Sequence, residues 1–296
     1  GFSSLSFALK VANEVKDSQL PDIFYGRDAW SLVFTMSSNK PIIYEAHALP
    51  NSRAKRIAES LLFRSMNFKR LVVISEALKK EYLKAFPALN KQKVMIAHDG
   101  ANIPLGMPQK NKVPNDIIRV GYVGHLYPGR GVNVIEDLAR HFPHVEFHIV
   151  GGTEEDIQYW SQETSDISNV IFHGFVPNGE LHKKYELFDI LLAPYQRKVS
   201  VAGGTGDTSK WMSPLKIFEY MSFKKPMVVS DLPVLREVLK HEVNCLLCDP
   251  EDINSWILAI SRLIDTPELR NTLAEEAFSN LCTHYTWDIR AQNVIS

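Results

Sequence analysis

A cation, a carboxylate and a helix start fall together in Trp211-Met212-Ser213-Pro214-Leu215-Lys216-Ile217-Phe218-Glu219-Tyr220-Met221. This stretch follows a segment, 194–213, containing Gly203, Gly204 and Gly206, and it reads as the start of a helix. Segments that long without structure of their own are usually functional or mobile. Pro214 suits the first helical position, because its missing N–H would be unpaired there, and Ser213 suits the N-cap. Leu215, Phe218, Met221 and Phe223 recur at helical spacing and would bury one face. The free amides of the first turn and the positive end of the helix dipole favour an anion. Lys216 adds a cation, and Glu219, about one turn on, offers a carboxylate to a pair of hydroxyls. A phosphate binder and a hydroxyl binder on one helix suit a nucleotide. The bland alternative is a capped helix with a solvated glutamate.

Three other segments offer comparable chemistry. Gly121-Tyr122-Val123-Gly124-His125-Leu126-Tyr127-Pro128-Gly129-Arg130-Gly131 joins an apolar run to a helical pattern and places Arg130 where it can clamp phosphate. It is neither a P-loop nor a true G-x-G-x-x-G, which disfavours a dinucleotide-dependent dehydrogenase. His47 follows an apolar run, in a turn leading to Pro50. There a histidine either faces a cleft and binds substrate or pairs with a backbone carbonyl. His173-Gly174-Phe175-Val176-Pro177 could hold a flat base by its main-chain groups, or simply turn the chain at Pro177.

The elements that must position these residues alternate. Apolar runs at Asp22-Ile23-Phe24-Tyr25, Pro41-Ile42-Ile43-Tyr44, Leu71-Val72-Val73-Ile74 and Lys93-Val94-Met95-Ile96 are separated by helical patterns near 27–37, 51–69 and 76–86, after a helix over 5–16. Ser75 reads as a plain N-cap. A second series has strands near 118–123, 145–150, 169–172, 189–193, 226–230 and 244–247, then helical patterns at 251–264 and 267–283 and a short one after Trp287. Continuous apolar strands alternating with helices predict parallel α/β sheets, with ligands at the carboxyl ends of the strands. Pro104, Gly106, Pro108 and Pro114 break periodicity between the two series. The expected division is an acceptor-side domain over 1–108, a linker over 109–117, a nucleotide-binding domain over 118–284 and a C-terminal helix over 285–296, which could cross back to the first domain.

Composition narrows the class. The chain has 296 residues, 33 Lys and Arg against 34 Asp and Glu, and 45% hydrophobic residues. That length gives two domains as the prior, and the charge balance gives no basic field for nucleic acid. No run of about 18 apolar residues reads as a membrane span. Three cysteines are too few for a disulfide framework and point to a reducing, cytoplasmic setting. Cys245 and Cys248 fall on an apolar strand, where positions three apart face opposite sides. No His/Cys cluster has metal spacing, and no intrinsic metal site or cofactor is expected. Residues 51–70 carry Arg53, Lys55, Arg56, Arg64, Lys69 and Arg70 against the single acid Glu59, with Ile57, Leu61, Leu62, Met66 and Phe68 on an apolar side. Such a helix can lie peripherally on an anionic membrane face, here the inner one, or be a solvated charged surface.

In order along the chain, Val120 to Gly131, Ile149-Val150-Gly151-Gly152, Phe172 to Pro177, Ser213 to Glu219 followed by Lys225-Pro226-Met227-Val228-Val229-Ser230, and Tyr285-Thr286-Trp287 together resemble the nucleotide-sugar-binding half of a retaining GT-B glycosyltransferase of the glycogen-synthase-like family 4 group. The resemblance covers nearly all of 113–296. It extends more weakly back to about residue 22 through Tyr25 to Asp28, Tyr44 to His47, Val73 to Glu76 and Ile96 to Gly100.

The resemblance implies an α/β GT-B fold, with two Rossmann-like parallel-sheet domains facing a cleft. It also implies transfer of a sugar from a nucleoside-diphosphate sugar to a glycan or lipid-linked acceptor, as in polysaccharide or glycoconjugate synthesis. Arg130 falls where the family neutralises the diphosphate, and His125 where an arginine is common. Gly124 and Gly129 belong to the same loop. Phe175 and Val176 fall where main-chain groups meet the base. Ser213, Pro214, Leu215 and Lys216 fall at the phosphate-binding helix start. Glu219 matches the second glutamate of a Glu-x7-Glu motif, which holds the ribose, and His47 matches a histidine facing donor sugar and acceptor.

Two departures stand out. The first glutamate of that motif is Trp211 here, and the family's earliest βα units have no counterpart, so the N-terminal domain reads as incomplete. The rival functions are a catalytically incomplete donor-binding fragment and a nucleotide-sugar epimerase on the same architecture.

Overall fold

In the computed structural model, residues 2–17, 21–104, 117–200 and 206–296 are described. Apart from Ile117, the expected linker lies outside the described residues, as do Gly203 and Gly204. Contacts divide the chain into one unit of residues up to His98 with Asn293–Ser296, and another of Asp99–Gln292.

The first unit runs α1 (Phe2–Asp17), β1 (Phe24–Gly26), α2 (Ala29–Phe34), β2 (Ile42–Ala46), α3 (Arg53–Arg64), β3 (Phe68–Val73), α4 (Glu76–Ala85) and β4 (Val94–Ile96). The strands form one parallel sheet in sequential order β1-β2-β3-β4. Every residue of β2 is buried, as the unbroken apolar run requires. Ile43, Val72, Ala97 and Val294 form a core with Ile23 and Met95 packed on it. Ser52 and Ser75 cap α3 and α4 by accepting the backbone N–H of Lys55 and Leu78.

The helix expected over 51–69 is shorter. It stops at Arg64, and Phe68, Lys69 and Arg70 begin β3. The strand that leaves the Ser65-Met66-Asn67 turn puts the Phe68 ring inside. Lys69 and Arg70 leave the basic helix and donate to the carbonyls of Asn293, Val294, Ile295 and Ser296 at 3.1–3.4 Å. Cations suit the carbonyl end of a helix. Glu59, expected among solvated charges, is fully buried.

The second unit runs β5 (Arg119–Val123), α5 (Val132–His141), β6 (Glu146–Val150), α6 (Glu154–Glu163), β7 (Val170–Gly174), α7 (Leu181–Leu187), β8 (Ile190–Ala193), α8 (Leu215–Ser222), β9 (Met227–Ser230), β10 (Leu246–Cys248), α9 (Ile253–Asp265), α10 (Pro267–Asn280) and α11 (Trp287–Ile295), whose last residues belong to the first unit. Its six strands are parallel, in the order β10-β9-β8-β5-β6-β7. On one face Val120, Phe147, Ile149, Leu192 and Val228 pack against Ile135 and Leu138 of α5 and Trp256 and Ile260 of α9. Both parallel Rossmann-like sheets agree with the expected fold. Cys245 and Cys248 are buried, and their thiols donate to different carbonyls, those of Lys240 and Ser255.

On the other face a polar chain ties β6 to β7. Lys184 Nζ lies 3.0 Å from His173 Nδ1, His173 Nε2 lies 2.8 Å from His148 Nδ1, and His148 Nε2 lies 3.2 Å from Glu146 Oε2. An ammonium only donates, so His173 Nδ1 accepts. His173 Nε2–H then donates to His148 Nδ1, and His148 Nε2–H donates to Glu146, which Arg119 Nε also reaches at 3.0 Å. Both imidazoles are neutral in this arrangement. Burial, then the charge of Lys184, holds the His173 pKa down at about 4 against an ordinary 6.5. The unfolded chain therefore takes up a proton between those values that the native state refuses, and stability falls as pH drops through that window. We expect the urea midpoint to fall from pH 7 to pH 5, with a shallower slope in His173→Asn. Equal slopes would mean the chain is not neutral.

Candidate active site

The sheet order of the second unit reverses at β5, whose neighbours are β6 and β8. Parallel sheets open a ligand crevice at the carboxyl ends of their strands at such a switch point. Here β5 and β8 pair over only Val120↔Ile190 and Gly121↔Leu191. Beyond that, the Tyr220 hydroxyl of α8 accepts the Val123 N–H at 3.1 Å and donates to the Leu192 carbonyl at 3.0 Å. Gly124 follows β5, and Pro194 and Tyr195 follow β8.

Two cations converge there. Lys216 is buried, and its Nζ has no hydrogen-bond partner. It rests 3.7 Å from the centroid of the Tyr122 ring and 5.1 Å from that of Tyr195, whose negative faces partly replace lost hydration. The Arg130 guanidinium lies 5.5 Å from the Tyr195 centroid, and its Nε is also buried without a partner. Desolvation first, then repulsion from Arg130, lowers the Lys216 pKa well below the ordinary ammonium value, and Glu219 opposes the shift. Burial raises the pKa of both tyrosines, so they stay neutral. A bound anion would satisfy these donors and relieve their repulsion.

The glycine loop is fixed by close packing. A Cβ on Gly129 would come within 1.9 Å of the Lys198 carbonyl oxygen, and one on Gly131 within 1.8 Å of that of Pro194. Gln196 N–H donates to Gly129 O at 2.9 Å, and Ser200 N–H to Pro128 O at 3.1 Å. A Cβ on Gly124 would lie 2.8 Å from Lys216 Nζ. The described parts of the segment over 194–213 are tied together as well. Asp207 Oδ1 accepts the N–H groups of Val199 and Ser209, and Ser209 Oγ donates to Arg197 O.

The helix start differs from the sequence expectation. Pro214 is the N-cap, with φ −77° and ψ 119°, and the helix begins at Leu215. Ser213 does not cap it, because its Oγ accepts the Asp99 N–H at 2.8 Å. Leu215, expected on the buried face, is 49% exposed, whereas Phe218 and Met221 are buried. Glu219 is half-buried, and its Oε2 accepts from the Tyr185 hydroxyl at 2.9 Å, which orients the carboxylate.

The structure thus gathers Gly124, Arg130, Lys216 and Glu219 about the ends of β5 and β8. His125 is exposed and stacks on Tyr127, with centroids 4.8 Å apart. Phe175, 78% exposed, and Val176 follow the edge strand β7. His47 belongs to the first unit, where Nε2 hydrogen-bonds Glu45 Oε1, so the backbone-carbonyl alternative is replaced by a carboxylate partner. The sequence reading missed the roles of Tyr122 and Tyr195, which flank Lys216, of Tyr185, which holds Glu219, and of Tyr220, which bridges β5 and β8. Their signal was a set of aromatics at strand ends and on the helix beneath. Among the described residues, no group of three or more His, Cys, Asp or Glu could hold a metal.

The model of the family described as glycosyl transferases group 1 matches residues 107–280. An uncharacterised glycosyltransferase of Methanocaldococcus jannaschii is 25% identical over 77% of this chain and 59% of its own length. One of Haemophilus influenzae is 24% identical over 70% of this chain and 55% of its own. The chain therefore spans 50–59% of the length of the curated relatives it matches. Among solved structures, Anabaena HepE in complex with UDP superposes with a TM-score of 0.75 at 18% identity, covering 98% of this chain and 81% of HepE. Sucrose-phosphate synthase of Thermosynechococcus elongatus superposes with a TM-score of 0.73 at 17% identity, covering 97% and 75%. With the family model covering more than half of its residues, this chain belongs to the group 1 glycosyltransferases.

Proposed function

We propose that the protein transfers a glycosyl group from a nucleoside-diphosphate sugar to an acceptor hydroxyl, with retained anomeric configuration and without a metal ion. The observation that carries this is a pair of cations at the switch point of a parallel sheet, Lys216 buried and Arg130 half-buried, whose Nζ and Nε are buried without hydrogen-bond partners. As the acceptor oxygen bonds to the sugar carbon, the bond to the diphosphate breaks and negative charge grows on the leaving group. Preorganised donors aimed at that charge supply much of the catalysis in such reactions. Arg130, Lys216 and the amides at the start of α8 would serve the diphosphate. Glu219, steadied by Tyr185, would take the ribose hydroxyls, and the main chain at Phe175 and Val176 the base. His47 would face donor sugar and acceptor. A cytoplasmic setting accords with the free cysteines.

The test is a thermal-shift panel of UDP, GDP, ADP and dTDP with their sugars, followed by product analysis by NMR. UDP comes first because HepE, with the same fold, holds it. A ligand that binds only the folded state raises the melting temperature. We expect one diphosphate to do so, and Arg130→Ala to abolish the shift. Arg130→Ala and Glu219→Ala should each cut turnover on the order of a hundredfold or more. Near-normal rates in both would sink the assignment, and a product of inverted configuration would sink retention. Binding without transfer would favour a donor-binding fragment, and sugar interconversion without acceptor would favour an epimerase.

We further propose that α3 meets an anionic membrane surface. Arg53, Ile57, Leu61 and Arg64 are exposed along one side of the helix, and Met66 just beyond it is 99% exposed. A basic helix with exposed apolar residues suits the headgroup boundary. Among the described residues no helix is long and apolar enough to cross a membrane. We expect salt-sensitive pelleting with anionic liposomes and its loss in the double variant Ile57→Ser, Leu61→Ser. No pelleting of the unaltered chain would reject the contact.

A further inference from the structure

The turn that carries His47 is tied to a buried carboxyl group that the donor site does not use. Glu59, on the inward face of α3, is fully buried. Its Oε1 lies 2.7 Å from the Tyr44 hydroxyl of β2 and 3.1 Å from the Tyr82 hydroxyl of α4. The Tyr82 hydroxyl is also 3.0 Å from the carbonyl oxygen of Ala48, the residue after His47. Three contacts therefore link four groups.

Counting protons, together with the buried and unpartnered Oε2, favours an uncharged carboxyl. A carboxylate brings none, so two hydroxyl protons would serve three contacts, and one contact would pair two acceptors. A carboxylic acid brings the third. Tyr44 O–H then donates to Oε1, Oε1–H donates to the Tyr82 oxygen, and Tyr82 O–H donates to Ala48 O. Glu59 Oε2 is buried without a hydrogen-bond partner, a poor setting for charge. The groups facing Glu59 are Tyr44, Tyr82, and Lys55 and Arg56 of its own helix, with Asp28 acting on Tyr44. Arg56 is engaged elsewhere, donating to Ala85 O and covering the Phe86 ring. Burial raises the Glu59 pKa above the ordinary glutamate value, outweighing those cations.

We propose that Glu59 is held as an uncharged carboxylic acid and is a positioning residue, passing a hydrogen bond through Tyr82 to the Ala48 carbonyl and so fixing the turn that presents His47. Its catalytic meaning rests on the reading of His47 given above, whereas its protonation state does not.

Infrared difference spectroscopy of the full chain at pH 7, unaltered against Glu59→Gln, reads the protonation directly. We expect a protonated carboxylic-acid carbonyl band that the variant lacks, and a carboxylate band in its place would overturn the proposal. Stability provides a second reading. The native state keeps a proton that the unfolded chain releases, so the stability of the unaltered chain relative to Glu59→Gln should fall as pH rises from about 4.5. A flat difference would again overturn it.

Positioning is read by the His47 ring resonance, assigned with His47→Gln. It should move in Tyr82→Phe, which keeps the ring that stacks on Phe86 but leaves Ala48 O without its donor. An unmoved resonance would overturn the positioning role. If transfer is observed, Tyr82→Phe should lower kcat on the order of tenfold or more with the donor KM unchanged. Glu59→Gln, whose amide can still donate to Tyr82, should retain most of the activity. If the unaltered chain transfers nothing, the glycosyltransferase reading fails, while the band and the resonance still decide this one.

Discussion

An ammonium group buried without a hydrogen bond is the constraint around which the second unit is arranged. Taking Lys216 out of water costs several kcal/mol unless something replaces its hydration. Here the replacement is aromatic: Tyr122 from the end of β5 and Tyr195 from beyond β8 turn their faces to Nζ. That geometry sets the backbone around it. Gly124 stands at φ +149°, a conformation L side chains rarely adopt, beside Nζ, and the glycine loop lies directly on the Lys198 and Pro194 carbonyls and carries Arg130 to the Tyr195 ring. Tyr220, one turn along α8 from Lys216, then bridges the ends of β5 and β8 and keeps the switch point open.

The first unit handles its buried ionisable group differently. Its inward acid, Glu59, is met by two tyrosine hydroxyls, and its surplus cations are spent on helix carbonyls. Arg56 serves the end of α4, and Lys69 and Arg70 serve that of α11. Much of what reads in sequence as a basic patch is thus internal capping. The part left facing outward, with Ile57, Leu61 and Met66, is smaller and more apolar than the count of charges implies.

The class of fold, the order of strands and helices, and the segments that carry the chemistry are legible in the residues alone. Those follow from local physics: unbroken apolar runs form buried parallel strands, and glycine and proline punctuate the turns between them. The sequence could not determine what Ser213, Leu215 and Glu59 do. Ser213 has the chemistry of an N-cap, but its hydroxyl is taken by the Asp99 N–H, distant in the chain. Leu215 has helical spacing, but the first turn of α8 leaves it outside. Glu59 sits in a basic run, but α3 turns it to the sheet. For Ser213 a contact far along the chain outweighs a capping preference worth about 1 kcal/mol, and for Glu59 two distant tyrosine hydroxyls set the environment. The same holds for the site. Arg130, Lys216 and Glu219 were legible as residue types at turn and helix starts. The pairing of the two cations over the Tyr195 ring, and the orphaned donors beside it, exist only once β5 and β8 lie side by side.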